Sequence, residues 1–180
     1  YIFRTPGMHP NQPALVKARE QGSIITSEME VFMQVCPCPI VAITGSDGKT
    51  TTTTLTCEIL KTAGYTCHLG GNIGRPLLAD VPLMTEQDIA VVELSSFQLM
   101  DMKRSPQRAV ITNLAPNHLD IHRDMEEYVD AKKNIFRHQD SSGLLILNAD
   151  NAITAAFRGN GQTRFFSRLG KAHVCLEEGV

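Results

Sequence analysis

The sequence predicts an α/β fold: a doubly wound, mainly parallel sheet covered by helices, with a short-form phosphate-binding loop. Three observations predict it. Apolar strand-like runs alternate with helix-periodic ones along most of the chain, the pattern of a parallel sheet joined by helical crossovers. One such run, Ile40-Val41-Ala42-Ile43, passes directly into Thr44-Gly45-Ser46-Asp47-Gly48-Lys49-Thr50-Thr51 and then into a helix-like segment ending near Gly64. Residues with chemical potential follow the strand-like runs, and ligands of such sheets sit beyond the carboxyl ends of the strands.

Taken in order, residues 1–35 stand apart. Pro6, Pro10 and Pro13 mark a loop, followed by a short helical stretch and Ile24-Ile25-Thr26-Ser27-Glu28. They read as the tail of a preceding domain and its linker, and the sheet domain is expected over 36–180. Strands are expected at Ile40–Thr44, Tyr65–Leu69, Ile89–Leu94, Ala109–Leu114, Leu144–Leu147 and Arg164–Phe166, where β-branched and aromatic residues cluster between turn formers. Helices are expected at Thr50–Ala63, Met125–His138 and Ala152–Phe157, where the apolar spacing changes to the helical period. The opening Tyr1-Ile2-Phe3-Arg4-Thr5-Pro6-Gly7 lacks an initiator methionine, so the chain reads as part of a longer protein.

With 180 residues, 42% of them hydrophobic, the chain can bury one substantial core. Its net charge of −2 comes without a basic block, so nucleic acid is not an expected partner and any phosphate must be held by a local site. No apolar run approaches the roughly 18 residues of a membrane span, and no signal-type segment opens the chain. Cys36, Cys38, Cys57, Cys67 and Cys175 are odd in number and lack zinc-ribbon spacing. Free thiols in a reducing cytoplasm are the simpler account, and a soluble cytoplasmic protein with no membrane partner is expected.

The stretch after Ile43 has the chemistry of an anion site. Gly45 and Gly48 let the backbone curl so that N–H groups converge, and the helix N-terminus adds its dipole. Lys49 would reach the outer phosphates and the Thr50 hydroxyl would complete the coordination of a bridging Mg²⁺. The loop is the short form, because the full pattern needs glycine where Ile43 stands; an ordinary strand-to-helix turn is the competing account. Asp47 beside phosphates would be repelled, so it is expected to point away and hold its own turn.

Three further positions follow from placement. Glu93 ends an apolar strand on the same sheet edge as the loop, where a carboxylate serves as a metal ligand or orients water; the plainer reading is a helix cap before Ser95-Ser96. His118 and His122 flank Asp120 after another strand. His118 is the better candidate for a metal or substrate contact, against a loop held by capping side chains. On a helix with Met125, Tyr128, Val129, Ala131, Ile135 and Phe136, Lys132 falls within about 10° of the apolar centre and Lys133 about 110° away. An inward lysine either covers the core with its stem or loses its proton and becomes able to react, for instance with CO₂ to give a metal-binding carbamate; periodicity leaves the two open.

Together these segments resemble the Mur ligases, ATP-dependent amino-acid ligases of peptidoglycan precursor synthesis. Thr44 to Thr51 looks like the family's phosphate loop, which more often has Asn where Asp47 stands. Gly71-Asn72-Ile73-Gly74, Glu93-Leu94-Ser95-Ser96-Phe97-Gln98-Leu99 and Asn113-x-x-Pro116-Asn117-His118-Leu119-Asp120 are similarly close. Thr5-Pro6-Gly7 and Ser27-Glu28-Met29-Glu30-Val31-Phe32 narrow the resemblance to the branch that adds D-glutamate to UDP-N-acetylmuramoyl-L-alanine.

The resemblance implies roles. Gly45, Ser46, Asp47, Gly48, Lys49, Thr50 and Thr51, with Asn113, would bind ATP. Thr50 would hold one Mg²⁺, and Glu93, His118 and a carbamylated Lys132 would serve a second; Lys49, Glu93, His118 and Lys132 would be the catalytic set. Asn72, Ser95 and Gln98 would contact the nucleotide-sugar peptide. It also implies domains before and after this one, a sheet domain incomplete at its C-terminal end, a monomeric full-length enzyme, and no ligase activity from these 180 residues alone. Two alternatives stand beside it: another amide ligase of the superfamily, such as a folylpolyglutamate synthetase or a lipid-linked muropeptide enzyme, and an ATP-binding module without ligase chemistry. The Ser27–Phe32 and Gly71–Gly74 segments argue against the other ligases.

Overall fold

The computed structural model describes residues 1–116 and 122–176. Its centre is a seven-stranded, fully parallel sheet. In chain order the strands are β3 (Ile40–Thr44), β4 (Cys67–Gly71), β5 (Ile89–Glu93), β6 (Arg108–Ile111), β7 (Leu144–Asn148), β8 (Gln162–Ser167) and β9 (Val174–Cys175). In space they run β4-β5-β3-β6-β7-β8-β9, with Ala42 beside Val92 of β5 on one side and Ala109 of β6 on the other. The phosphate-loop strand is therefore central, and the chain leaves it leftward once and rightward repeatedly. A reversal of that kind is where open α/β sheets bind ligands.

The two faces are filled unequally. Helix α3 (Lys49–Thr62) covers one face, packing Cys57 against Ile43 and Val91. The other face carries the main core, with Ala42, Val92, Leu99, Ile111, Tyr128, Ile135, Leu145 and Leu147 in one cluster. Helices α4 (Ser96–Leu99), α5 (Met125–Arg137) and α6 (Ala152–Ala155) follow β5, β6 and β7. Right-handed crossovers explain the asymmetry: among the described elements only the β3-to-β4 connection moves leftward, so α3 alone of the described helices covers that face.

Residues 1–35 form β1 (Ile2–Phe3), α1 (Pro13–Glu20), β2 (Ile25–Thr26) and α2 (Glu28–Val35), with β1 and β2 paired in a small parallel ribbon. Ser27 caps α2 by accepting from the Glu30 N–H at 3.1 Å. That helix turns Met29 and Phe32 into the main core, 2% and 0% exposed.

Several boundaries differ from expectation. The strand expected at Tyr65–Leu69 begins at Cys67, because Tyr65 N–H still bonds Leu60 O at the end of α3 and its side chain is exposed. The strand expected to reach Leu114 stops at Ile111, because the following residues turn to brace the phosphate loop. The helix expected at Ala152–Phe157 ends at Ala155. A 3₁₀ turn at Leu78–Leu83, α4 and β9 were not expected; each is too short to show a period. Among the described residues no helix is long and apolar enough to cross a membrane.

Candidate functional site

The loop after β3 is built from outside. Gly48, at φ +73°, precedes α3 and supplies no side-chain cap, so the first N–H groups of that helix face the loop without a competing acceptor from that position. Gly45 is required by proximity, since a Cβ there would lie 1.9 Å from Thr112 Oγ1. The segment after β6 closes over the loop: Ser46 N–H donates to Asn113 O at 2.9 Å, Asp47 N–H to Asn113 Oδ1 at 3.0 Å, and Thr112 Oγ1 to Asp47 O at 2.6 Å. Asp47 is exposed, as its charge requires. The turn is nevertheless held by Thr112 and Asn113, which adjacency of β3 and β6 brings alongside.

Ser46 faces inward. Its hydroxyl, in a residue 5% exposed, bonds Ala115 O at 3.0 Å, accepts from Ala115 N–H at 2.9 Å and meets Tyr128 OH at 2.9 Å. Lys49 Nζ folds back to Ser46 O at 2.9 Å. Thr50 and Thr51 lie exposed in the first turn of α3.

Glu93, 1% exposed at the end of β5, receives two donors: Thr50 Oγ1 at 2.7 Å and Asn72 Nδ2 at 2.8 Å. The carboxylate thus joins the phosphate loop to the segment after β4. It does not cap α4. That cap is Ser95, whose Oγ accepts from Gln98 N–H at 3.2 Å while Gln98 Oε1 accepts from Ser95 N–H at 3.0 Å, a reciprocal capping box.

Lys132 is 1% exposed, as the helical period requires. Its Nζ donates to Thr44 Oγ1 at 3.0 Å and Gly45 O at 3.1 Å and lies 5.0 Å from the Tyr128 ring centroid. Burial, with Lys49 nearby, pushes the amine down to about 7, against a smaller opposing pull from Glu93. Lys133 instead lies over the Phe157 ring at 5.5 Å.

The loop, Asn72, α4 and α5 enclose a cavity of about 160 Å³ lined by Gly45, Lys49, Asn72, Ser95, Tyr128 and Lys132, among others. His122 is 2% exposed beside it, with Nε2 2.9 Å from Ser96 Oγ and its ring stacked on Phe97 at 5.3 Å. It packs behind the lining residues Ser96, Phe97 and Tyr128. His118, Asn117 and Asp120 lie outside the described residues. Among the described residues no three His, Cys, Asp or Glu side chains converge as a metal cluster. Tyr128, Thr112 and Thr44 are the contributors that sequence reasoning missed; Tyr128 sat in view on the apolar face of α5, but nothing local marks its hydroxyl as a loop contact.

Residues 43–173 match the Mur ligase middle domain. The chain belongs to the Mur ligase family. It is 58% identical over 187 residues to the UDP-N-acetylmuramoylalanine–D-glutamate ligase of Clostridium kluyveri, covering 98% of this chain and 41% of that protein. It is 56% identical over 181 residues to the same-named ligase of Acetivibrio thermocellus, covering 99% and 38%. The chain therefore spans about two fifths of the length of these curated relatives. A MurF ligase from Thermotoga maritima, solved in complex with ADP, shares the fold at a TM-score of 0.59 and 21% identity over 78% of this chain and 35% of its own. Membership places the Lys49 loop and the Glu93 strand in a Mur ligase sheet domain.

Proposed function

We propose that this chain is the ATP-binding core of an ATP-dependent ligase that joins D-glutamate to UDP-N-acetylmuramoyl-L-alanine, a cytoplasmic step of peptidoglycan precursor synthesis. Residues 1–35 are the tail of a UDP-binding domain and its linker, 36–180 belong to the central domain, and the full-length enzyme acts as a monomer. The observation that carries the reading is the convergence of Lys49, Thr50, Glu93, Asn72 and Lys132 at one end of a parallel sheet. The names of the 58% and 56% identical relatives support the choice of substrates.

A carboxylate is a poor electrophile. In the proposed reaction its oxygen attacks the γ-phosphorus of ATP, the bond to the bridging oxygen breaks, and ADP departs from an acyl phosphate. The neutral amine of D-glutamate then attacks the acyl carbon, phosphate leaves with the C–O electron pair, and the nitrogen loses one proton to give the amide. Two anions must be held together, and positioning supplies much of the rate. The backbone of residues 45–51 and Lys49 bind the phosphates, with Asn113 holding the loop, and Asn72, Ser95 and Gln98 face the acceptor.

The oxygen donors suit Mg²⁺: a buried carboxylate already gathering the Thr50 hydroxyl. Thr50 would hold one ion; Glu93, His118 and a carbamylated Lys132 would serve a second. Bound Mg²⁺ offsets phosphate charge and orients the γ-phosphoryl group. Lys132 is fitted for carbamylation because its amine, at about 7, is substantially neutral at physiological pH. The neutral amine adds to CO₂ and releases one proton.

Calorimetric titration of Mg²⁺ with a non-hydrolysable ATP analogue into this chain tests the reading. Saturable binding is expected, weakened about a hundredfold or more in Lys49→Ala. Equal binding by both proteins would remove the phosphate-loop assignment.

A further inference from the structure

Helix α4 is a single turn, too short to hold its place by its own hydrogen bonds. It nevertheless presents Ser95, Ser96 and Phe97 to the cavity beside Lys49 and Lys132. Its position is set by what grips it from outside. Asn134 of α5 donates to Leu99 O at 2.9 Å, and His122 meets Ser96 Oγ at 2.9 Å. A further grip comes from residues 4–8. Arg4, 5% exposed, donates from Nη2 to Phe97 O at 3.2 Å and from Nη1 to Met8 O at 2.6 Å, with longer contacts to Thr5 O and Pro6 O. One guanidinium therefore folds the Thr5–Met8 turn and fastens it to α4. Arg19 reinforces the seam through Asp101 at 2.7 Å and Pro10 O at 2.8 Å.

We propose that Arg4 is a positioning residue for the ligase site, holding α4 so that Ser95 and Gln98 meet the acceptor, and thereby coupling the linker to substrate binding. This rests on the reading of Ser95 and Gln98 as acceptor contacts. The chemistry favours arginine because its planar fork supplies several donors at fixed angles to carbonyls that diverge from one another. A lysine there has fewer directed donors and holds only part of the set. The phosphate loop is tied instead to the end of β5, through Thr44 Oγ1 to Leu94 O at 2.7 Å and Thr50 Oγ1 to Glu93 at 2.7 Å, contacts that the sheet holds in place and Arg4 does not touch. Loss of Arg4 therefore acts on the acceptor before it acts on ATP.

The test is steady-state kinetics of Arg4→Ala, Arg4→Lys and Ser95→Ala in a ligase of the relatives' full length, with melting temperatures measured alongside. Arg4→Ala is expected to raise the acceptor KM about tenfold while the ATP KM stays within about twofold, with Arg4→Lys between it and the parent. A lower melting temperature with both KM values unchanged would make Arg4 purely structural and overturn the proposal, as would equal rises in both. If Arg4→Ala does not fold, the same split is read from Arg4→Lys, at about threefold. Ser95→Ala separates the two readings. If it leaves the acceptor KM unchanged, the assignment of α4 to the acceptor fails; if it raises that KM and neither Arg4 variant does, the Arg4 proposal alone fails.

Discussion

Helices α3 and α5 bring a lysine each to one cavity under opposite conditions. The N-terminus of α3 follows Gly48, has no side-chain cap and carries no acidic residue in its first turn. The N-terminus of α5 is capped by Asp124, which accepts from Glu127 N–H at 2.8 Å, and its first turn holds Glu126 and Glu127. One helix leaves its positive end open to an anion and the other satisfies it internally. Lys49 lies at the loop's partly exposed edge, whereas Lys132 is buried mid-helix and gives up much of its charge. The difference separates two environments for one side chain: a partly exposed cation folded onto Ser46 O, which we propose meets phosphate, and a desolvated amine, which we propose is modified.

The largest expected effect breaks the pair functionally. In a full-length ligase, Lys132→Ala should lower turnover by at least about a hundredfold, while this chain carrying the same change keeps nucleotide binding within a few-fold. Extra bicarbonate should not restore turnover, but short carboxylic acids that mimic a carbamate should. Equal loss of nucleotide binding in Lys49→Ala and Lys132→Ala would show that the two lysines do one job.

The second effect concerns pH. Below about 7 the Lys132 amine is protonated in both folded and unfolded chains, and the folded one bears the desolvation penalty. Between about 7 and the ordinary lysine value the folded amine is neutral while the unfolded one still binds a proton, so stability contributed at this site rises with pH. Chemical denaturation at pH 6.5 and pH 9 should therefore favour the parent at the higher value relative to Lys132→Met. Parallel pH profiles would mean that the amine keeps its charge when buried.

Gly45→Ala gives the third. Its Cβ would overlap Thr112 Oγ1, so β6 or the loop must shift, at a cost of about 2 kcal/mol in urea unfolding together with weakened nucleotide binding. Preserved binding would show that the loop tolerates displacement from Thr112.

The same contrast explains what the sequence could reveal. The phosphate loop is legible because its signal is contiguous: a strand, two glycines, a lysine and threonines within one short stretch. The inward direction of Lys132 is legible because a helix has a fixed period. The braces are not, since Thr112 and Asn113 reach Asp47 across 65 and 66 residues, and Tyr128 reaches Ser46 across 82. Those contacts exist only after β6 settles beside β3 and α5 packs over both. For the same reason periodicity could not choose between a snorkelling and a reactive Lys132: the choice depends on Lys49, Glu93 and burial. Helix α4 is one turn long, so its role in the wall was invisible as a pattern.

The smallest effect sharpens the comparison at the helix ends themselves. Asp124→Ala removes the acceptor for Glu127 N–H and leaves Glu126 and Glu127 to interact with the helix dipole, so a loss of about 1 kcal/mol is expected. Lys132 lies two turns further along, held by Thr44 and Gly45 rather than by the cap. Nucleotide binding by the variant should therefore match the parent at a temperature where both are folded. A tenfold loss of binding without unfolding would show that the capped end of α5 reaches the phosphate loop, through Tyr128 and Ser46, more strongly than helix geometry requires.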